Sequence, residues 1–227
     1  MKPLIVALDV DTKKEVSALI RATQEYVDIF KVGPTLILKY GPQIINEINK
    51  FGKKVFLDLK FHDIPNTMLR SIREASAAGV YSATVHTSAG LAAMATLAKE
   101  KKRPLLWGVT VLTSMSQEDL IHLGISKKPF DQVLSLANLA KEALIDGVVA
   151  SVEETAALRK ILKGKVEIIT PGIRLPENER GDQKRVATPF EAKKAGSTFI
   201  VVGRPILESK TPDLIAKKIM ADWLRIR

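Results

Sequence analysis

Val55-Phe56-Leu57-Asp58-Leu59-Lys60-Phe61-His62-Asp63-Ile64-Pro65-Asn66-Thr67 opens as a buried strand and closes as the start of a helix. Three consecutive apolar residues suit a strand covered on both faces, as in a parallel sheet. An acid, a base and a second acid then break the apolar run. Pro65 follows, and proline is tolerated in a helix's first turn. Side chains two apart on a strand point the same way, so Asp58 and Lys60 are expected to project together from the strand end. Opposite charges there are costly unless they are paired or used.

The same unit recurs along the chain. Apolar, β-branched runs predict strands at residues 4–10, 29–33, 55–60, 83–87, 105–112, 148–151, 167–173 and 199–203. Amphipathic segments between them predict helices at 12–26, 34–50, 65–78, 89–101, 129–145, 153–162, 189–195 and 211–225. In the fifth of these, Val133, Leu136, Ala137, Ala140 and Leu144 recur at three- and four-residue steps, the spacing of one helix face. Alternating strand and helix implies a parallel sheet. Eight such units predict an α/β fold, a closed (β/α)8 TIM barrel, with an open doubly wound sheet as the alternative. No linker or low-complexity stretch divides the 227 residues, so residues 1–227 are read as one domain. Segments 113–128 and 174–188 are too polar and irregular for packed elements. Both follow strands, and 174–188 reads as a mobile loop.

Composition narrows the function. The chain has no cysteine, which excludes disulfides, thiolate catalysis and cysteine-held metals. Asp9 and Asp11 cut short the apolar run at the N-terminus, and no stretch approaches the about 20 apolar residues of a membrane span. A cytoplasmic protein with no membrane partner is expected. The net charge is +10, which raises nucleic-acid binding as a possibility. The lysines are scattered in short groups without an aromatic ladder, and solvated faces plus a site for a small anion fit better.

Polar residues at the C-terminal ends of barrel strands mark the place of chemistry. In order these are Asp9, Lys31, Asp58 with Lys60, His86, Thr110, Ser151, Arg174 and Gly203-Arg204. Any one charge could be a rim salt bridge; two aspartates, two lysines and two arginines on one opening argue for a site. Gly203-Arg204 and Gly172-Ile173-Arg174 end neighbouring strands. Glycine admits a ligand to the backbone and arginine adds a forked cation, a combination suited to phosphate. The three histidines have no metal-ligand spacing. Asp58 and Asp63 could hold magnesium, but Lys60 between them already supplies the cation. No glycine-rich nucleotide loop and no nucleophile elbow appear.

Together these residues resemble the orotidine 5′-phosphate decarboxylase family. The resemblance runs from Leu4 to about Pro205. It is carried by Ala7-Leu8-Asp9, Phe30-Lys31-Val32-Gly33, Asp58 through Thr67, Val109 through Ser114, Thr170 through Arg174, Gly181-Asp182-Gln183 and Val202-Gly203-Arg204-Pro205. Asp-x-Lys-x-x-Asp alone is shared with the related hexulose-6-phosphate synthase and 3-keto-gulonate-6-phosphate decarboxylase. The extension to Thr67, Gly-Asp-Gln and the two arginines favour the orotidylate branch.

The resemblance implies decarboxylation of orotidine 5′-phosphate to UMP without metal or organic cofactor. It implies a proton donor, Lys60, within a charge network of Lys31, Asp58, Lys60 and Asp63. Asp63 and Thr67 would serve the neighbouring subunit's site in a homodimer. Asp9 and Lys31 would hold the ribose, Thr113 and Ser114 would approach the pyrimidine, and Arg174, Gly203 and Arg204 would hold the phosphate. Gln183 would reach over phosphate and base. No nucleic-acid partner is implied; the alternatives are a sugar-phosphate lyase or synthase and a nucleotide- or RNA-binding barrel.

Overall fold

A computed structural model describes residues 1–164, 166–175 and 187–225. Its strands are β1 (Leu4–Ala7), β2 (Ile29–Val32), β3 (Lys54–Phe61), β4 (Ser82–His86), β5 (Leu105–Val109), β6 (Gly147–Val149), β7 (Glu167–Thr170) and β8 (Phe199–Val202). All neighbours pair in parallel and β8 returns to β1, closing the barrel. The helices are α1 (Lys13–Thr23), α2 (Pro34–Tyr40), α3 (Gln43–Asn49), α4 (Pro65–Ala77), α5 (Leu91–Ala98), α6 (Gln117–His122), α7 (Pro129–Glu142), α8 (Val152–Leu162), α9 (Pro189–Ala195), α10 (Arg204–Leu207) and α11 (Pro212–Leu224). The fold is the expected (β/α)8 barrel, and the open-sheet alternative is set aside.

The elements depart from expectation in three ways. The helix read over 34–50 is two, because Gly41 takes a left-handed φ of 57° and Pro42 follows it. Proline cannot continue the preceding helix, and glycine adopts that φ at little cost. Segment 113–128 holds a helix after all: Ser116 accepts the N–H of Asp119 while the Asp119 side chain accepts the N–H of Ser116, a reciprocal cap on α6. Strands β1, β5 and β7 each stop three residues before the expected runs do. The remaining residues leave the ladder and form the rim.

Two apolar layers hold the barrel. Outward strand residues such as Val6, Phe30, Val55 and Val148 pack under the helices. Inward residues Ile5, Ile29, Phe56, Trp107, Ile169 and Phe199 fill the interior. Burying side chains of this size contributes roughly 2–3 kcal/mol each. Trp107 is completely buried, its ring 4.5 Å from that of Phe56 in an edge-on contact. Gly147 makes room for it, since a Cβ there would lie 2.7 Å from Trp107 Cδ1. The indole N–H donates to Glu167 Oε2 at 2.8 Å, closing the barrel floor. Above this floor the inward positions on β2, β3 and β4 turn polar, at Lys31, Asp58 and Thr84, and the site begins. Among the described residues no helix is long and apolar enough to cross a membrane.

Candidate active site

A cavity of about 490 Å³ opens at the C-terminal mouth of the barrel. Strand periodicity builds it. Ile29 faces inward on β2, and Lys31, two residues on, reaches the cavity. Phe56 forms part of the floor on β3, and Asp58, two residues on, stands above it.

The charges alternate along the mouth. Lys31 Nζ lies 3.2 Å from Asp9 Oδ1 and 3.6 Å from Asp58 Oδ2, and Lys60 Nζ lies 3.0 Å from Asp58 Oδ2. The middle pair is the most enclosed: the Lys31 and Asp58 side chains are each 13% exposed. Removing either would leave its partner, largely buried, with a single counter-charge: Lys60 for Asp58, or Asp9 for Lys31. Lys60 and Asp9 are more open, so the row grades from enclosed to solvent-facing.

The two-residue alternation predicted for Asp58 and Lys60 is only part of their geometry. The register between β3 and β4 shifts between Leu57 and Phe61, and Lys60 has a left-handed φ of 51°. Bulges of this kind re-aim side chains near sites. Thr84 on β4 meets the bulge. Its hydroxyl accepts the Lys60 N–H at 2.9 Å and donates to Asp58 Oδ1 at 3.0 Å. Sequence reading missed Thr84, although its place, two residues before His86 on an inward face, follows from the same alternation.

Thr113, Arg174, Gly203 and Arg204 also line the cavity, with Asp9 and Lys31. Arg174 is buried, and its Nη1 donates to the Ile173 carbonyl at 2.9 Å. Gly172 has a φ of 79°, which a side chain disfavours. A Cβ on Gly203 would meet only ordinary contacts with Ala7 and Asp9. The protein itself therefore does not exclude a side chain there, and glycine leaves the backbone open to a ligand. Ser114 borders a separate shallow surface depression with Met115 and His122.

Other expected residues fall outside this cavity. Asp63 and Thr67 are exposed and do not line it; the Asp63 carboxylate accepts the Ile64 N–H at 2.6 Å. Asp58 and Asp63 thus do not converge. Thr110 donates to the Val149 carbonyl, and Ser151 hydrogen-bonds Glu154, so both are structural. His86 stacks obliquely on His62 with centroids 5.3 Å apart. Burial, with the His62 ring and the Lys60 ammonium, holds His86 below the ordinary imidazole range. Gln183 lies outside the described residues.

The opposite wall is apolar: Val109, Val149, Ile169, Pro171 and Val201. None of these residues was given a site role from sequence, yet four of them are the inward strand positions just before the rim. An apolar wall and a charged row in one cavity, with two arginines after the neighbouring strands β7 and β8, suit an anionic ligand bearing a phosphate. The site is that of a barrel enzyme acting on a small anion.

The chain belongs to the orotidine 5′-phosphate decarboxylase / HUMPS family, whose model matches residues 2–219. It is 43% identical to an orotidine 5′-phosphate decarboxylase of Vibrio parahaemolyticus across 95% of both chains. It is 42% identical to that of Vibrio cholerae, across 95% of this chain and 96% of the other. The solved structure of the Lactobacillus acidophilus enzyme superposes with a TM-score of 0.86 at 32% identity, covering 99% of this chain and all of that one.

Proposed function

We propose that this protein is a carboxy-lyase converting orotidine 5′-phosphate to UMP in pyrimidine biosynthesis. The observation that carries the reading is the Lys60 ammonium, 3.0 Å from Asp58 at the edge of a half-apolar cavity. The family relationship supports the substrate.

The chemistry follows from the charges. The bond from ring carbon C6 to the carboxylate breaks, CO2 leaves, and the electron pair stays on C6 in an orbital outside the π system. The Lys60 ammonium stabilises that charge electrostatically and then transfers a proton to C6. Water restores the proton to the amine. Asp58 sits where the substrate carboxylate must pass, so departure of CO2 relieves a like-charge contact. Asp9 and Lys31 hold the ribose hydroxyls and Thr113 approaches the base. Arg174, Gly203 and Arg204 hold the phosphate, whose binding energy helps to assemble the site. Gln183 is assigned to the same end by family resemblance alone.

The acting unit is a homodimer in which Asp63 and Thr67 complete the neighbouring site. Their position outside their own cavity supports this, as does Ile64, an apolar residue 67% exposed beside them. One domain spanning 1–227 works in the cytoplasm without metal or organic cofactor.

The test is direct. Purified, EDTA-treated protein incubated with orotidine 5′-phosphate is expected to give the ultraviolet change of UMP formation. Lys60→Ala is expected to lose at least ~10³-fold in turnover while still binding UMP. No UMP from the wild type would reject the reading, and comparable turnover in the variant would reject the role of Lys60.

A further inference from the structure

We infer that Thr84 is the positioning residue that sets Asp58 and Lys60 against each other, an inference that rests on the decarboxylase reading above. The reason lies in the strand register. Leu57 is level with Ala83 and Phe61 with Val85, so four steps along β3 correspond to two along β4. Thr84 is the one β4 residue between those two pairings. The extra length of β3 is taken up where Lys60 turns left-handed, and there the Lys60 N–H bonds a side chain, the Thr84 hydroxyl, at 2.9 Å.

A hydroxyl carries one proton. Accepting from Lys60 leaves that proton for Asp58 Oδ1, 3.0 Å away. Asp58 Oδ2, the other oxygen of the same carboxylate, receives the Lys60 ammonium. One side chain therefore fixes both ends of Lys60: its backbone directly, and its ammonium through the orientation of Asp58. Thr84 is 1% exposed, so water does not substitute for it in the closed strand. It touches neither the cavity nor, by this geometry, the substrate. Its effect is on where the acid and base stand, and small displacements of reacting groups cost large factors in rate.

Thr84→Val keeps the branched shape and removes both hydrogen bonds; Thr84→Ser keeps the hydroxyl. The expected result for Thr84→Val is a fall in kcat of roughly 10²-fold with UMP affinity retained within about threefold. Thr84→Ser is expected to recover most of that rate. A purely structural role would lower thermal stability and leave kcat per folded enzyme unchanged, and that result overturns the inference. So does a serine variant as slow as the valine one. Wild-type turnover, run alongside, separates this failure from failure of the decarboxylase reading. Amide exchange followed by NMR on the unaltered protein gives a measurement independent of variant folding. The Lys60 N–H is expected to exchange as slowly as the β3 ladder amides, and fast exchange overturns the inference.

Discussion

Lys60 holds a backbone conformation that costs a lysine roughly 1–2 kcal/mol. Such a cost persists where the surroundings over-determine it, and sites are where this is found. The Asp-x-Lys spacing in the sequence correctly announced that the two side chains meet. It did not announce the bulge, because a register shift depends on the partner strand and leaves no mark in the β3 pattern itself. Thr84 was hidden for the same reason: a threonine in an apolar strand reads as an ordinary β-former. Arg204 is the opposite case, a residue whose type and position both spoke. It lines the cavity at the end of β8, and a charge-assisted bond to phosphate is worth about 1.5–3 kcal/mol. Arg204→Ala is expected to weaken UMP binding by roughly 10- to 100-fold and to change binding of the unphosphorylated nucleoside far less. Titration calorimetry with both ligands checks this, and equal losses for the two would place the phosphate elsewhere.

At the scale of elements, strand and helix order was legible because burial on both faces writes continuous apolar runs, while helices write a period near four. Ends were less legible. Residues 110–112 continue the apolar pattern of β5 yet leave the ladder, and Val111 and Leu112 turn up as cavity lining instead. The floor shows how elements constrain one another. Trp107 on β5, Gly147 on β6 and Glu167 on β7 form one row across the barrel, and the indole N–H needs the Glu167 acceptor. Burial raises the Glu167 carboxyl above its ordinary value of 4.5, with the Trp107 N–H pulling against it and Asp146 adding to it. The folded protein therefore holds the Glu167 proton more tightly than the unfolded chain does. That favourable contribution is complete below the unfolded value and is lost as pH rises through the folded one. At neutral pH the ionised form is a liability. Glu167→Gln keeps an acceptor for Trp107, and it is expected to raise Tm at pH 7.5 by roughly 1–3 °C, a small gain because the group is only half buried. The gap should close as pH falls below about 4.5. Carboxylates held low by their caps, such as Glu15 and Glu191, are common to both proteins and drop out of the difference. A gap that widens in acid would show that the carboxylate stabilises the floor.

At the scale of the whole molecule, barrel closure gathers residues from Asp9 to Arg204 at one mouth. That convergence is why strand-end polarity could be read from sequence without knowing any contact. One expected charge lies outside that mouth. The alternating row contains Asp9, Lys31, Asp58 and Lys60, while Asp63 points its carboxylate at its own Ile64 amide outside the cavity. If Asp63 serves a second copy, each dimer site combines Lys60 of one chain with Asp63 of the other. Lys60→Ala and Asp63→Ala should then each be nearly inactive alone. Random pairing of equal amounts makes half the dimers mixed, and each mixed dimer holds one intact site of two. Co-refolded variants are therefore expected to recover about a quarter of wild-type activity, the fraction set by two-fold symmetry. Differently tagged chains, purified through both tags, verify that mixing occurred. Mixed dimers without activity, or an Asp63→Ala variant active by itself, would mean that every charge the reaction needs already lies within one barrel.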